Sequence, residues 1–452
     1  MMEIMPDEKK MLFSQDALRK LLWPLIIEQF LAVAMGMADT VMVASCGEAA
    51  VSGISLVDSI CVLLIGLFTA MASGGAVVAA QYMGRGDKEM VGRASNQLFL
   101  AVGGVALLFM AVSLIFNRGL LNLLYGNVEA DVMRAARNYF YIVAVSFPFL
   151  GVYNGGAALF RAVGDSKVSM KVSLVANLMN IAGNAILIYG AQIGVAGAAL
   201  STLFSRILSA VMIVVLLTRS DKISMSKSWR VDTNILGKIL YIGIPNGLEN
   251  SIFQIGKLLT TSLIATFGMV AITANAVTYS IANFQQIPSS AIGVAMITVI
   301  GQCIGAGETG QAHYYLKRMI KWAYLCMIVL GIPIILFARP LCSIYHLSPE
   351  TTDMTIFLLV YNCICCMIVH PLSFAQSNAL RAAGDVRFTM IVAIASMWLC
   401  RVGMAYILGQ GLGLGVIGVW IAMTMDWVVR AFLFTNRIRT GKWLKYKDRL
   451  VK

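Results

Sequence analysis

The chain has 452 residues, of which 59% are hydrophobic and 13% charged. Soluble domains carry about 25% charged residues, so a water-soluble globule is excluded and the chain is solvated mainly by lipid. The net charge of +13 raises nucleic acid as a partner, and the placement of the basic residues among the predicted elements argues against it.

Residues 1–10, "MMEIMPDEKK", are polar, and the first apolar run is too long for the core of a cleavable signal peptide, so none is expected. Segments long enough to cross a ~30 Å hydrocarbon core, about 20 residues each, then follow one another. They run over 18–44, 52–80, 94–116, 133–159, 168–190, 195–218, 238–267, 272–300, 317–337, 354–379, 387–409 and 415–438. The prediction is an all-α integral membrane protein of twelve transmembrane helices, with short connections and no soluble domain left over. Of the 35 Lys and Arg, 27 fall in the two termini and the loops that follow even-numbered helices. Only Arg118, Arg134, Arg137 and Arg339 occupy the loops on the other side. The positive-inside rule therefore predicts a multi-pass inner-membrane protein with both termini cytoplasmic. The basic composition reports topology, and no nucleic-acid partner is expected.

In the first helix, "EQFLAVAMGMADT" (28–40) keeps two carboxylates, Glu28 and Asp39. Each costs ~2.5–3.5 kcal/mol in mid-bilayer. They lie nearly on one face, ~16 Å apart along the axis, with Ala32, Met35 and Gly36 between them. Such a stripe suits a wall lining water better than one facing lipid. Asp39 is the candidate ion-binding or titrating group, against a structural acid; for Glu28, snorkelling or a structural hydrogen bond stands beside function. In the fifth helix, Asn177, Asn180 and Asn184 share a face. They either join helices or orient a carboxylate and supply carbonyl ligands to a cation. The seventh helix carries Glu249 and, on one face, Asn250, Gln254 and Lys257; the eighth carries Asn275, Tyr279, Ala282 and Gln286 on one face, followed by Pro288. Cys363, Cys365 and Cys366 lack the paired ligands of a zinc site and read as small buried hydrophobes. His370, before Pro371, either titrates or packs. Asp426 and Arg430, at i, i+4, read as an internal ion pair.

An internal repeat organises these residues. "GRGD" (84–87) is echoed by "GAGE" (305–308), "LFRAVGDSK" (159–167) by "ALRAAGDVR" (379–387), and "GVAG" (194–197) by "GVIG" (415–418). Pro24, Glu28 and Gly47 return as Pro245, Glu249 and Gly268, and every match keeps the same spacing to within a single position. Six helices duplicated in the same orientation are a transporter arrangement, with substrate held between halves related by a pseudo-two-fold axis. The expected lobes are 1–218 and 238–452, joined by a cytoplasmic linker at 219–237. In the repeat, Asp39 corresponds to Thr260 and Asn180 to Arg401, so the first half has an acidic, amide-lined pocket where the second is basic.

Pro24 with "ADTVMVASCG" (38–47), "QYMGRGDKE", "LFRAVGDSK", "NLMNIAGNAILIYG" and "GVAGAALST", together with their second-half copies, resemble the multidrug and toxic compound extrusion (MATE) family over nearly the whole chain. The resemblance implies two six-helix lobes in a V shape and export of cationic or amphipathic compounds driven by H⁺ or Na⁺. In members with an N-lobe cation site, the first-helix Asp looks like Asp39, the fifth-helix pair like Asn180 and Asn184, and the fourth-helix Tyr and sixth-helix Thr like Tyr139 and Thr202. Several members have Asp where this chain has Asn184. Members with a C-lobe cation site carry a Glu where this chain has Phe253, and an Asp near His370, so the N-lobe assignment gains.

The expectation is thus a cation-coupled antiporter, and not an enzyme, with H⁺ or Na⁺ as coupling ion, Na⁺ being held at Asp39 and Asn180, and no other cofactor. Its partners are small amphipathic substrates and membrane lipid, and it acts as a monomer. The substrate cavity is expected to draw on Glu28, Met35, Glu249, Asn250, Gln254, Lys257, Asn275, Tyr279, Gln286, His370 and Arg401. The 27 Met suit a re-packable cavity. The alternative is a flippase of lipid-linked precursors, with Lys257 and Arg401 on an anionic head group. An integral-membrane transferase would need a catalytic constellation that His313, His346 and His370 do not form.

Overall fold

The computed structural model describes residues 11–126, 128–223, 225, 226, 228–447 and 450. The polar opening stretch 1–10 lies outside them, and among the described residues there is no strand. The first six rods are α1 (Gln15–Ala44), α2 (Glu48–Gly84), α3 (Lys88–Ile115), α4 (Ala130–Val145 and Phe147–Ala162), α5 (Ser166–Asn184, continued by Ala185–Gly190) and α6 (Val195–Thr218). The next six are α7 (Thr233–Ala265), α8 (Met269–Gly305), α9 (Thr309–Leu336), α10 (Pro349–Ile368, then Pro371–Ala375 and Gln376–Ala382), α11 (Val386–Ser396, Met397–Gly403 and Tyr406–Gly411) and α12 (Gly415–Arg439). Short helices at Asn117–Tyr125, Ala338–Ser343 and Lys442–Tyr446 were not predicted from the apolar pattern.

Ten of these rods are long and apolar enough to cross a membrane, and α4, bent by 49° between its two segments, makes eleven. The remaining rod, α7, is 33 residues long but interrupted by Asn246, Glu249, Asn250, Gln254 and Lys257. A helix this polar is stable in a bilayer only where protein or water meets its polar groups. Several rods also run past the predicted apolar spans. α2 and α8 both continue to a Gly-led turn, at Gly84 and Gly305, because a helix needs apolar residues only at bilayer depth.

The chain packs as two compact units, Ala17–Gly247 and Leu248–Lys452 with Met1–Asp16. The seam falls inside α7, because its first turns belong to the first unit. A Cβ on Gly74 would lie 2.5 Å from the Ile239 carbonyl oxygen, so α2 and α7 approach at backbone distance, the usual result of small residues at membrane helix contacts. Asn246 also donates to Ser73 at 2.7 Å. In the second unit the chain entering α1 is tied to α9, where Leu12 N–H donates to Gln311 and Phe13 N–H to the Tyr315 hydroxyl. Cys363 and Cys366 are buried in this unit's apolar core, as the reading of them as small hydrophobes expects.

The repeat is visible in local geometry. The π-helical turn Ala185–Gly190 that ends α5 returns, at the spacing of the repeat, as Tyr406–Gly411 at the end of α11. The second half adds two more π turns, Pro371–Ala375 and Met397–Gly403, the latter carrying Arg401. Wide turns of this kind are rare and recur at functional sites.

Candidate functional site

In the first unit, five helices bring polar groups together. Asn184, the last α-helical residue of α5, donates to Asp39 of α1 at 2.6 Å and to the Asn180 carbonyl oxygen at 3.2 Å. Asn180 donates in turn to Thr202 of α6 at 3.4 Å, and Ser201 holds the Asn180 backbone carbonyl at 2.7 Å. Asn177 donates to the Leu31 carbonyl on α1, so the three-amide face of α5 is the one that meets α1. Asn180 and Asn184 are buried, and the Asn184 Oδ1 has no hydrogen-bond partner among the described residues. A buried amide oxygen without a donor costs free energy and is an acceptor available to a proton or cation at Asp39.

Tyr139, buried on α4, reaches Asp58 of α2 rather than Asp39 directly. Asp58 is a site member that reading for amides and for the first-helix acid missed. Its signal was present: an Asp inside the apolar run "SLVDSICVLL". Arg206 of α6 acts electrostatically on both Asp39 and Asp58 and donates to the Ser146 hydroxyl at 2.7 Å. Among the described residues no basic side chain lies within ion-pair distance of Asp39 or Asp58. Two carboxylates facing one guanidinium leave the cluster one negative charge in excess.

The second unit encloses a cavity of about 200 Å³ whose lining includes Lys257, Tyr279, Gln286, His370 and Arg401. Five of the residues expected in a substrate cavity are therefore brought together. Arg401 donates to the Tyr279 hydroxyl at 3.1 Å, and the Lys257 ammonium sits 5.3 Å from the Tyr279 ring centre. The Arg401 guanidinium also lies 5.3 Å from the Phe253 ring. His370 stacks on Phe374 at 4.6 Å and meets Trp427 edge-on, so it is a packed histidine. Asn275 lies beside this cavity, where its Oδ1 accepts from the Trp420 indole. Asp426 and Arg430 pair at 2.7 Å, as their spacing predicts.

Glu28 and Glu249 are placed differently from the expected cavity. Arg161 donates to Glu28 at 2.9 Å, where Ser169 donates to the other oxygen at 2.8 Å, and Arg381 donates to Glu249 at 2.6 Å. Both acids are spent on ion pairs with the Arg of the "LFRAVGDSK" and "ALRAAGDVR" motifs. The repeat carried that signal, since both partners are duplicated. Met35, Asn250 and Gln254 are half-buried and line neither cluster.

Among the described residues no group of three or more His, Cys, Asp or Glu side chains is arranged to hold a metal ion. The residues around Asp39 offer amide and hydroxyl oxygens, the donor type of hard monovalent cations.

Comparison with known proteins places this geometry. The MatE family model matches residues 24–186 and again 245–407, the second match displaced by the spacing of the repeat. The chain is 28% identical to an uncharacterized transporter, YisQ, of Bacillus subtilis, over 97% of this chain and 99% of that protein. It is 26% identical to a probable multidrug resistance protein, NorM, of Thermotoga maritima, over 94% of this chain and 92% of that one. Among solved structures, an outward-facing multidrug resistance MATE family transporter of the MOP superfamily superposes with a TM-score of 0.89 at 21% identity, covering 95% of this chain and 96% of the other. With both halves of the repeat matched by one family model, the chain belongs to MatE, a family of membrane transporters.

Proposed function

We propose that the chain is a cation-coupled antiporter that exports amphipathic organic compounds across the cell membrane by alternating access, with both termini in the cytoplasm. The observation that carries this reading is the Asp39–Asn184 contact, a carboxylate at bilayer depth held by an amide whose own oxygen is unpartnered among the described residues. The cluster's single excess negative charge suits one monovalent cation, H⁺ or Na⁺.

Taking up that cation neutralises the cluster and removes the cost of enclosing a charge. The first unit can then repack around Asp39 and release cargo. Losing the cation restores the charge and reopens the site to water. The ion drives the cycle only through its different affinity for the two states, and the group that differs is Asp39. The multidrug resistance relative, with most of both chains aligned, favours small organic cargo over lipid-linked precursors.

The test is transport in proteoliposomes with an H⁺ or a Na⁺ gradient imposed separately. Asp39→Asn is expected to abolish gradient-driven export while leaving the melting temperature of the purified protein near that of the wild type. Full export by that variant under either gradient would sink the assignment.

A further inference from the structure

The two polar clusters occupy the same positions of the repeat. Asp39, Asp58, Asn180, Thr202 and Arg206 correspond, at one constant spacing, to Thr260, Tyr279, Arg401, Met423 and Trp427. Duplication therefore built one pocket twice, and substitution reversed its polarity. The first copy holds two carboxylates against one guanidinium. In the second, both acidic positions are neutral, an amide has become Arg401, and Lys257 stands one turn before Thr260.

The charge in the second pocket is not balanced within it. Asp426 is fully buried and pairs with Arg430 at 2.7 Å, whereas Arg401 lies 4.0 Å from the same carboxylate. Arg401 is itself only 4% exposed. Two buried guanidiniums share one carboxylate, and Lys257 adds a third positive charge at the cavity. Among the described residues Lys257 has no acidic partner within ion-pair distance. Excess charge at bilayer depth is costly unless a counter-charge meets it. One more observation points to a ligand with acceptor oxygens. Asn362 is 1% exposed on the cavity wall, and among the described residues its Nδ2 donor has no partner. Rings take much of the remaining wall, with Phe253, Phe374, Trp427 and the face of Tyr279, beside the polar Asn283, Gln286 and Ser290.

We propose that this cavity binds an aromatic carboxylate. Its carboxylate lies between Lys257 and Arg401, within reach of Asn362, and its ring lies among Phe253, Phe374 and Trp427. The guanidinium and ammonium donate charge-assisted hydrogen bonds, and the rings supply apolar contact and stacking. A cavity of about 200 Å³ has room for a fused two-ring acid. A permanently cationic compound of equal size meets two like charges there and is rejected. The inference rests on the export reading for its purpose, since it names the class of cargo, but binding can be measured without transport.

The experiment is calorimetric titration of the purified full-length protein with 2-naphthoate and, separately, with 2-naphthylmethylammonium. The acid is expected to bind and the amine to give no measurable heat. Lys257→Gln, on a side chain that is exposed and so spares the fold, is expected to weaken naphthoate binding about tenfold or more, the worth of one charge-assisted hydrogen bond, and Lys257→Arg to retain it. Arg401→Gln, if its melting temperature stays near that of the wild type, should weaken it at least as much. The proposal is overturned if naphthoate fails to bind, if the amine binds as tightly, or if Lys257→Gln leaves the affinity within twofold. If naphthoate binds as expected but no gradient drives export in proteoliposomes, the export reading fails and this one stands. If export is coupled but naphthoate does not bind, the reverse holds.

Discussion

The Arg381 guanidinium donates to Glu249 at 2.6 Å, with both side chains close to nine-tenths buried. The first half repeats the contact as Arg161 and Glu28 at 2.9 Å. Each pair ties the helix that opens a half to the end of that half's fourth helix, beneath the polar cluster. The copies differ in one respect. Both oxygens of Glu28 accept hydrogen bonds, whereas the Glu249 Oε2 has no partner among the described residues. Removing one member of a buried pair leaves a charge uncompensated and costs about 3–5 kcal/mol; partial exposure puts these pairs at the lower end. Glu28→Gln should lower the melting temperature more than Glu249→Gln, because it also removes a charged acceptor from Ser169, whose other acceptor is the neutral Ser166 carbonyl. Restoring part of the loss with Glu28→Gln/Arg161→Gln would identify the Arg161 charge as the cause, and equal melting of the single and double variants would refute it.

Arg206 serves two acids at once, and Asp58 keeps it from belonging to Asp39 alone. Asp58→Asn should let the guanidinium settle on Asp39 and hold it charged, so that gradient-driven export falls about tenfold or more, the worth of the new charge-assisted hydrogen bond that cation uptake would have to break. Adding Arg206→Gln to that variant removes the competitor and should recover part of the rate. Coupling between neighbours in one network is what a double-mutant cycle measures. Additive losses in transport would mean that Asp58 and Arg206 act separately.

Gly197 and Gly418 occupy the same repeat position, where α6 and α12 cross the π turns that end α5 and α11. A Cβ at Gly197 would meet Leu187 atoms at 3.1 Å, and one at Gly418 would meet Gly409 N and Leu408 C at 2.7 Å. Both contacts include backbone, which cannot swing aside as a side chain can, and the one at Gly418 is the closer. Gly418→Ala should therefore cost more than Gly197→Ala, the former within the ~1–3 kcal/mol range of overpacked cores. Thermal unfolding of the two variants in the same detergent checks the order, and an equal or reversed order would show that the crossing is looser than its backbone distances imply.

Much of this was legible in the sequence, because lipid forces backbone groups to be satisfied within helices and so writes each span as an apolar run. The constant offset between matching motifs gave the duplication, and the helical spacing of Asn177, Asn180 and Asn184 gave the face that meets α1. Other features were hidden for stated reasons. The bend in α4 and the π turns leave no mark on hydrophobic spacing. Glu28 and Glu249 read as cavity acids because their Arg partners lie far along the chain, and spacing reports only neighbours on one helix. Asp58 was overlooked since a single acid in an apolar run has no pattern, and only its approach to Tyr139 and Arg206 gives it a place.

Asp426 is the carboxylate on which the second unit's buried guanidiniums depend. The Arg430 Nε–H is shared between Asp426 and the Ser396 hydroxyl, 2.9 Å away, and Nη2 donates to the Ala393 carbonyl at 3.1 Å, so neutral acceptors can hold it in place without cancelling its charge. Asp426→Asn should thus keep Arg430 positioned yet lower stability by about 3–5 kcal/mol, as for other broken buried pairs. An anion bound beside Arg401 would then replace part of the missing charge. A ligand that binds only the folded state stabilises it in proportion to the logarithm of its occupancy, so 2-naphthoate should raise the melting temperature of Asp426→Asn by more than it raises that of the wild type. Thermal shift assays of both proteins across a naphthoate series provide the comparison. Equal shifts would mean that the ligand's charge is not felt by the Arg401–Arg430 pair.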